Sequence, residues 1–161
     1  MTAMQPDNRL NNNGGRPKGR SKSSSWRFIR WIPAVIMMAL IFAASAQSGE
    51  QLDTMLPFFQ RWFPAMEGFN WGHYVTYFIL SICFYFALGS RSWRAKLLSV
   101  ALCAVYGGTD EIHQLWVPGR MADWLDLRND TIGAALAMLL LSIPAVDRVY
   151  VKMCRIFSRQ T

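Results

Sequence analysis

Four long apolar stretches dominate the chain, and short polar segments separate them. They cover residues 28–46, 73–89, 93–115 and 126–146. An α-helix needs about 20 mainly apolar residues to cross a hydrocarbon core of about 30 Å, and each stretch is close to that length. The pattern therefore predicts an all-α membrane protein, a four-helix transmembrane bundle over residues 26–147.

The first stretch has a second interpretation. Its basic flank, its apolar core and the small residues Ala44-Ser45-Ala46 together imitate a cleaved export signal. However, the flank is far longer than that of an export signal, and the three later stretches require a first crossing. We therefore interpret residues 28–46 as a membrane helix.

The segments outside the four stretches are mostly polar. Residues 1–25 hold four apolar side chains among Asn, Gly, Ser, Lys and Arg, a composition that cannot bury a core, so we expect a disordered basic tail. Residues 148–161 are expected to form a basic C-terminal tail. The segment 56–64 is aromatic and too short to cross, and we expect it to lie along the outer membrane interface between the first two helices.

Charge predicts the orientation. The chain has 17 Lys and Arg against 10 Asp and Glu, a net charge of +7 that by itself suggests a polyanionic partner. Fourteen of these cations lie near the start of the chain, at the junction of the second and third stretches, or after the fourth. Segments that stay in the cytoplasm are enriched in Lys and Arg. Both termini are therefore predicted to be cytoplasmic, and nucleic-acid binding is not expected.

Ionisable residues are concentrated where the third stretch ends and the fourth begins. Asp110 and Glu111 precede the turn at Pro118-Gly119, and an antiparallel hairpin around that turn returns Asp126 to their depth. Gly107-Gly108 and Gly133-Ala134 supply small residues that let the helices approach. Ionisable groups near the hydrocarbon boundary cost several kcal/mol unless they are paired or solvated, so they are functional candidates.

The candidate site residues come from three of the four helices and the turn, and Ser45 adds a polar group at the end of the first helix. The candidate catalytic residues are Asp110, Glu111, His113 and Asp126, and the candidate binding residues are His73, Tyr77, Gln114, Arg120, Arg128, Asn129 and Asp130. Purely structural roles remain open for several of them. Asp123 or Asp126 is suited to cap the fourth helix. Asp110 and Glu111 are suited to form salt bridges with Arg120 and Arg128 that lock the hairpin.

The third and fourth stretches also carry a composite motif. It consists of Asp110-Glu111, Gln114, Pro118, Arg120, Asp126, Asp130 and Gly133. This motif resembles that of VanZ-like membrane proteins, and the resemblance covers roughly residues 28–146, with weaker matches at Ser45–Ser48 and His73. The family often has Asn where this chain has Asp130.

The resemblance implies a small multi-pass protein of the bacterial cytoplasmic membrane, in a family whose founding member is linked to resistance to the glycopeptide teicoplanin. We expect a non-catalytic protein of the cell envelope. Its outer polar site would bind membrane lipids by their head groups, a lipid-linked cell-wall intermediate or the glycopeptide, and Arg120 and Arg128 would bind phosphate or carboxylate. The sequence leaves the oligomeric state open.

A membrane-embedded hydrolase or transferase acting on a phospholipid or a lipid-linked precursor is the alternative. In that version Glu111 or Asp110 acts as general base, His113 or His73 acts as acid, and Arg120 stabilises phosphate charge. No cofactor is expected, and no spacing matches a known metal motif. A hard cation bridging Asp110, Glu111 and Asp126 is a third variant.

Overall fold

A computed structural model describes residues 24–61 and 70–157, and every regular element within them is an α-helix. The helices are α1 (Ser24–Ile29), α2 (Ile32–Ser45), α3 (Gly49–Gln60), α4 (Asn70–Leu88), α5 (Trp93–Gln114), α6 (Trp124–Leu140) and α7 (Pro144–Phe157). The all-α prediction is confirmed for this part of the chain. The tail predicted for 1–25 lies almost entirely outside the described residues.

The second and third predicted helices agree with α4 and α5 to within three residues, whereas the first and fourth need correction. The first is divided at Arg30 and Trp31, and α2 begins there with a proline in its first turn, where the missing N–H costs nothing. The aromatic segment predicted to lie flat begins inside α3, and its residues 62–64 lie outside the described residues.

The predicted fourth helix over 126–146 is wrong at its end. α6 ends at Leu140, and the axis of α7 is bent by 91° from that of α6. Lys96 Nζ donates to Leu141 O at 3.0 Å and to Ser142 Oγ at 2.8 Å, so a cation from α5 caps the carbonyl end of α6. Pro144 then begins a new helix. Residues 148–157, predicted as a tail, belong to α7.

Among the residues that the structure describes, two segments are long and apolar enough to span a membrane, 27–45 and 71–88. The bent pair α6 and α7 would make a third span if the two helices act as one. α5 has 22 residues, but its polar last turns leave it less apolar than α2 and α4. Length and composition therefore support a membrane protein with two or three of the four predicted crossings.

Burial follows the pattern expected of helices in lipid. The buried polar side chains are Ser45, Ser81, Ser99, Asp110, Glu111, Gln114, Asn129 and Asp130. Leu80 and Phe84 belong to a buried core, but many large apolar side chains lie outside, among them Val105 at 68% exposure and Leu139 at 65%. Lipid is as apolar as leucine, so apolar side chains gain nothing by turning inward, whereas polar groups must find each other.

Small residues set the helix spacing at the centre of the bundle. α4 packs most extensively against α6, and a Cβ at Gly133 would overlap the backbone carbonyl of Tyr74. A Cβ at Gly107 would lie 2.7 Å from Asp130 Oδ2, so α5 and α6 also meet at a glycine. Gly108 was expected to share this role, but a Cβ there meets no atom within 4 Å.

The two ends of the bundle carry opposite chemistry. Ser45, Asp110 and Asp126 lie at one end, which we call the polar end. Arg30 and Lys96 lie at the other, which we call the basic end. There the Arg30 guanidinium donates to Phe86 O and lies over the Phe86 ring, and Lys96 caps α6.

Replacing Gly133 with Ala tests the close approach of α4 and α6. The new Cβ would overlap the Tyr74 backbone, so we expect a loss of about 1–3 kcal/mol in the free energy of unfolding, the usual cost of overpacking. Gly108→Ala is the matched control, because its Cβ has open space and alanine favours the helix by about 1 kcal/mol. Equal stability of the two variants in a detergent unfolding titration would contradict this packing.

Candidate functional site

The predicted site residues meet at the polar end because the helices run antiparallel. Ser45 ends α2, and His73 lies in the first turn of α4. Residues 110–114 form the last turn of α5, and residues 126–130 lie in the first two turns of α6. Polar groups from four helices are therefore at one depth.

One hydrogen-bonded network is centred on the buried Asp110. Ser45 Oγ donates to Asp110 Oδ1 at 2.6 Å, and Gln114 Nε2 lies 3.3 Å from Asp110 Oδ2. Arg120 Nη2 donates to Gln114 Oε1 at 2.9 Å, so Gln114 relays between the carboxylate and the guanidinium. His113 borders this network, with Nδ1 3.5 Å from Ser45 Oγ and its ring 4.2 Å from that of Phe42.

A second network is centred on His73 of α4. His73 Nδ1 lies 2.9 Å from Oδ1 of the fully buried Asp130, and its Nε2 lies 3.6 Å from Asp126 Oδ2. The Asp130 carboxylate accepts the hydrogen on Nδ1, so the other ring nitrogen, Nε2, faces Asp126. This imidazole therefore joins α4 to two successive turns of α6.

Tyr74 supplies a third contact that the sequence analysis missed. Its hydroxyl donates to Asn129 Oδ1 at 2.6 Å, and Arg128 Nη2 lies 3.3 Å from the same oxygen. Tyr74 and Tyr77 are three residues apart and so share a helix face, which is the signal that was available. The sequence analysis named His73 and Tyr77 as candidates on this helix and did not include Tyr74.

The salt-bridge lock expected for the hairpin does not form. Within the described residues, the ion pairs at the polar end join His73 to Asp126 and Asp130, and neither involves Arg120 or Arg128. The hairpin is held instead by Glu111 Oε2, which accepts the backbone N–H of Asp123 at 2.7 Å.

The capping role expected of Asp123 or Asp126 belongs to Asp123. Its Oδ1 accepts the Leu125 N–H at 2.8 Å, at the start of α6. Asp126 lies in the first turn of the helix and is directed toward His73. Asp126 is thus left available for the site.

Two adjoining cavities open between these networks. The deep cavity, about 150 Å³, is lined by Ser45, His73, Tyr77, Asp110, Gln114 and Arg120, with Ile41, Ala44, Gly72 and Thr76. The mouth cavity, about 310 Å³, is lined by His73, Gln114, Arg120, Asp123 and Asp126 and by the turn residues 119 and 121–122. His73, Gln114 and Arg120 line both. Glu111, His113, Arg128, Asn129 and Asp130 line neither, so the structure separates them from the cavities.

Tyr77 has an unusual position in the deep cavity. Its side chain is 1% exposed, and its hydroxyl has no hydrogen-bond partner in the described part of the chain. Buried hydroxyls are nearly always bonded, so this one stands out among the residues that line the cavity.

The cation site considered above lacks a ligand set. In residues 24–61 and 70–157, no group of three or more His, Cys, Asp and Glu side chains is placed to hold a metal ion. Asp110, Glu111 and Asp126 belong to separate contacts, with Ser45, with the Asp123 backbone and with His73 respectively.

The two tyrosine hydroxyls offer a matched pair of variants. We expect Tyr74→Phe to lower the free energy of unfolding by about 1 kcal/mol, because it removes a hydrogen bond and leaves Asn129 with a weaker partner. Tyr77→Phe removes a hydroxyl without a partner, so the stability should be unchanged or slightly raised. A larger loss for Tyr77→Phe than for Tyr74→Phe in the same titration would contradict these assignments.

The comparisons with known proteins agree with the motif. The VanZ/LLP1 family model matches residues 28–145. An uncharacterized protein of the fission yeast Schizosaccharomyces pombe is 32% identical over 69 residues, which are 42% of this chain and 43% of that protein. The chain therefore aligns with less than half the length of that relative, and no solved structure matches it. The family model matches most of the chain, including the core of the bundle that the structure describes. The chain therefore belongs to the VanZ/LLP1 family.

Proposed function

We propose that α2, α4, α5 and α6 all cross a membrane and that both ends of the chain lie in the cytoplasm of a bacterium. The 22 residues of α5 make about 33 Å of helix, enough for the hydrocarbon core. The cations Arg30, Arg91 and Lys96 belong to the basic end, which is the pattern of a cytoplasmic face.

Fluorescent and periplasmic-enzyme reporters fused to each terminus test this: both termini should give cytoplasmic signals, and signals on opposite sides would refute it.

We further propose that the mouth and deep cavities bind a phospholipid head group that carries both a phosphate and an N–H-bearing ammonium. The observation that carries this proposal is that Arg120 and Asp126 line the same mouth cavity but do not pair with each other, since Asp126 faces His73 instead. In the described part of the chain, the Arg120 side chain donates to the neutral Gln114. Its remaining N–H groups suit a phosphate, for which the arginine fork has the right geometry.

The surrounding carboxylates favour a guest with a positive group. Asp110 and Asp126 each line one of the cavities, and neither pairs with an arginine of residues 24–61 or 70–157. A purely anionic guest would meet these carboxylates directly, and like charges repel strongly where water is scarce. An ammonium with N–H donors would pair with them while its phosphate reaches Arg120.

The position and size of the cavities support a lipid. Trp116, Met121 and Trp124 around the mouth are more than 80% exposed, and tryptophan is enriched at the depth of lipid head groups. A cavity of about 310 Å³ is at the lower limit for drug-sized ligands, so it suits a head group. A whole glycopeptide or lipid-linked wall precursor would place only its phosphate-bearing or charged end there.

The His73 contacts favour catalysis as a second candidate function. A buried carboxylate at Nδ1 orients the neutral imidazole of a residue that lines both cavities, and this pairing is typical of a general base. Hydrolysis at this site would use water as the nucleophile: Nε2 accepts its proton, the new P–O bond replaces the P–O bond to the ester alcohol, and the imidazolium returns the proton to that alcohol as it leaves. This geometry favours His73 as the base over Glu111 or Asp110, which the sequence suggested.

Lipid-dependent thermal stabilisation of the purified protein in detergent tests head-group binding. Phosphatidylethanolamine should raise the melting temperature more than phosphatidylcholine with the same chains, because only the former has ammonium N–H donors. Arg120→Gln and Asp126→Asn should each weaken the apparent affinity about tenfold or more, since a charge-assisted hydrogen bond contributes about 1.5–3 kcal/mol. Arg128→Gln is the control, because this nearby exposed arginine lines neither cavity.

Two results would overturn the binding proposal: equal responses to the two lipids, or an equal loss of affinity in Arg128→Gln. Mass spectrometry of the same lipid mixtures decides between binding and catalysis. Lipid cleavage by the wild type that disappears in His73→Gln, while stabilisation by the lipid persists, would establish the hydrolase. Intact lipid throughout leaves binding alone.

A further inference from the structure

The basic end of the bundle contains a further cavity, which none of the candidate site residues lines. It measures about 250 Å³, and three arginines from different segments line it: Arg30 before α2, Arg91 between α4 and α5, and Arg155 in α7. Tyr85 and Tyr150 form part of its wall. In the described part of the chain, no acidic residue lines it, in contrast to the mouth cavity with Asp123 and Asp126.

Two of the arginines are held in place by neighbouring groups. The Arg30 guanidinium donates to Phe86 O, at the C-terminal end of α4, and Arg91 forms an ion pair with Asp147 of α7. The cavity therefore retains more positive than negative charge, on side chains that are already positioned. Anchored guanidinium groups around one space are suited to a phosphate.

An apolar cavity adjoins the arginine-lined one. It measures about 310 Å³ and is lined by Pro33, Ile82, Cys83 and Met153, and it shares Phe86, Tyr150 and Cys154 with the first. A basic chamber thus continues into an apolar groove between α2, α4 and α7. A phospholipid has the same arrangement, because its charged phosphate is followed by an apolar acyl chain.

α7 has the features of a helix that lies in the plane of a membrane. Its axis bends 91° away from α6, and its ring of Tyr150 packs at 5.5 Å from that of Tyr85 in α4. Val149, Met153 and Ile156 repeat on one face and are 52–64% exposed, while Arg148, Lys152 and Arg155 repeat beside them. Helices with this pattern lie at the interface and are attracted to anionic lipids.

We propose that these two cavities form a binding site for one anionic phospholipid. Its phosphate lies among Arg30, Arg91 and Arg155, and one acyl chain lies in the groove between α2, α4 and α7. The arginines that line this cavity favour a lipid whose head group is anionic. The mouth cavity at the opposite end has both an arginine and carboxylates, and we proposed a zwitterionic head group for it. The site is independent of the function proposed for the polar end, because the two sites share no lining residue.

The test measures the melting temperature of the full chain in detergent as phosphatidylglycerol is added. Phosphatidylglycerol should give a saturable rise, and phosphatidylcholine with the same chains should give a much smaller one. Arg155→Gln should weaken the apparent affinity for phosphatidylglycerol about tenfold. Arg148→Gln is the matched control: it removes the same charge from the same helix, does not line either cavity, and should change the affinity less than twofold.

A second pair of variants tests the groove independently of the arginines. Cys154→Trp fills the space shared by the two cavities and should abolish the response to phosphatidylglycerol, whereas Lys152→Trp, which lines neither, should retain it. Soluble glycerol phosphate should give no shift at concentrations where phosphatidylglycerol saturates.

Four results would overturn the proposal. Equal responses to the two phospholipids would remove the preference for an anionic head group. An equal loss in Arg148→Gln and Arg155→Gln would indicate diffuse surface attraction. A full response to glycerol phosphate, or a retained response in Cys154→Trp, would show that no acyl chain is bound in the groove.

Discussion

The close approach of α4 and α6 at Gly133 determines how the polar residues of this protein meet. Because the Tyr74 backbone lies where a side chain at Gly133 would be, the first turns of the two helices are held side by side. His73 then reaches Asp130 at 2.9 Å, and Tyr74 reaches Asn129 at 2.6 Å. The second glycine contact, between Gly107 and Asp130, brings α5 and its Asp110 network to the same place. The cavities are the space left between these networks.

Lipid as the surrounding medium explains why so many polar groups are gathered at one end. An ionisable side chain facing hydrocarbon is costly, so each must pair, reach water or bind a guest. Asp130 pairs with His73 and Glu111 accepts a backbone N–H, each through one oxygen, while Asp130 Oδ2 and Glu111 Oε1 are buried without a hydrogen-bond partner in the described part of the chain. Arg120 and Asp126 line one cavity but have separate partners, Gln114 and His73, and this separation of opposite charges is why we propose a ligand there. At the basic end the cavity is lined by arginines without a carboxylate in the described part of the chain, which is why we propose a different head group there.

Features of the sequence were sufficient to predict the two central helices and the meeting of Asp110 with the start of α6 at one end of the bundle. Length and apolar composition predicted α4 and α5, and the Pro-Gly turn between α5 and α6 predicted the antiparallel hairpin that brings Asp110 and Asp126 to one level. The break at 141–143 could not be predicted, because it depends on Lys96 reaching the carbonyl end of α6 from another helix.

The pairing of side chains was the least predictable feature. Rotation of each helix about its axis decides whether an arginine meets a carboxylate, and sequence spacing does not contain that angle. Arg128 was expected in the site but is exposed beside Asn129, whereas Tyr74 was overlooked although it bonds that residue.

The His73–Asp130 contact joins the two helices on which the site depends, and a double-mutant cycle measures it directly. Unfolding free energies would be compared for the wild type, His73→Gln, Asp130→Asn and the double variant in one detergent. Contacting partners in a buried network are coupled by about 0.5–3 kcal/mol. A coupling in the upper half of that range would show that α4 and α6 meet as described. Additive effects, with a coupling near zero, would contradict the account.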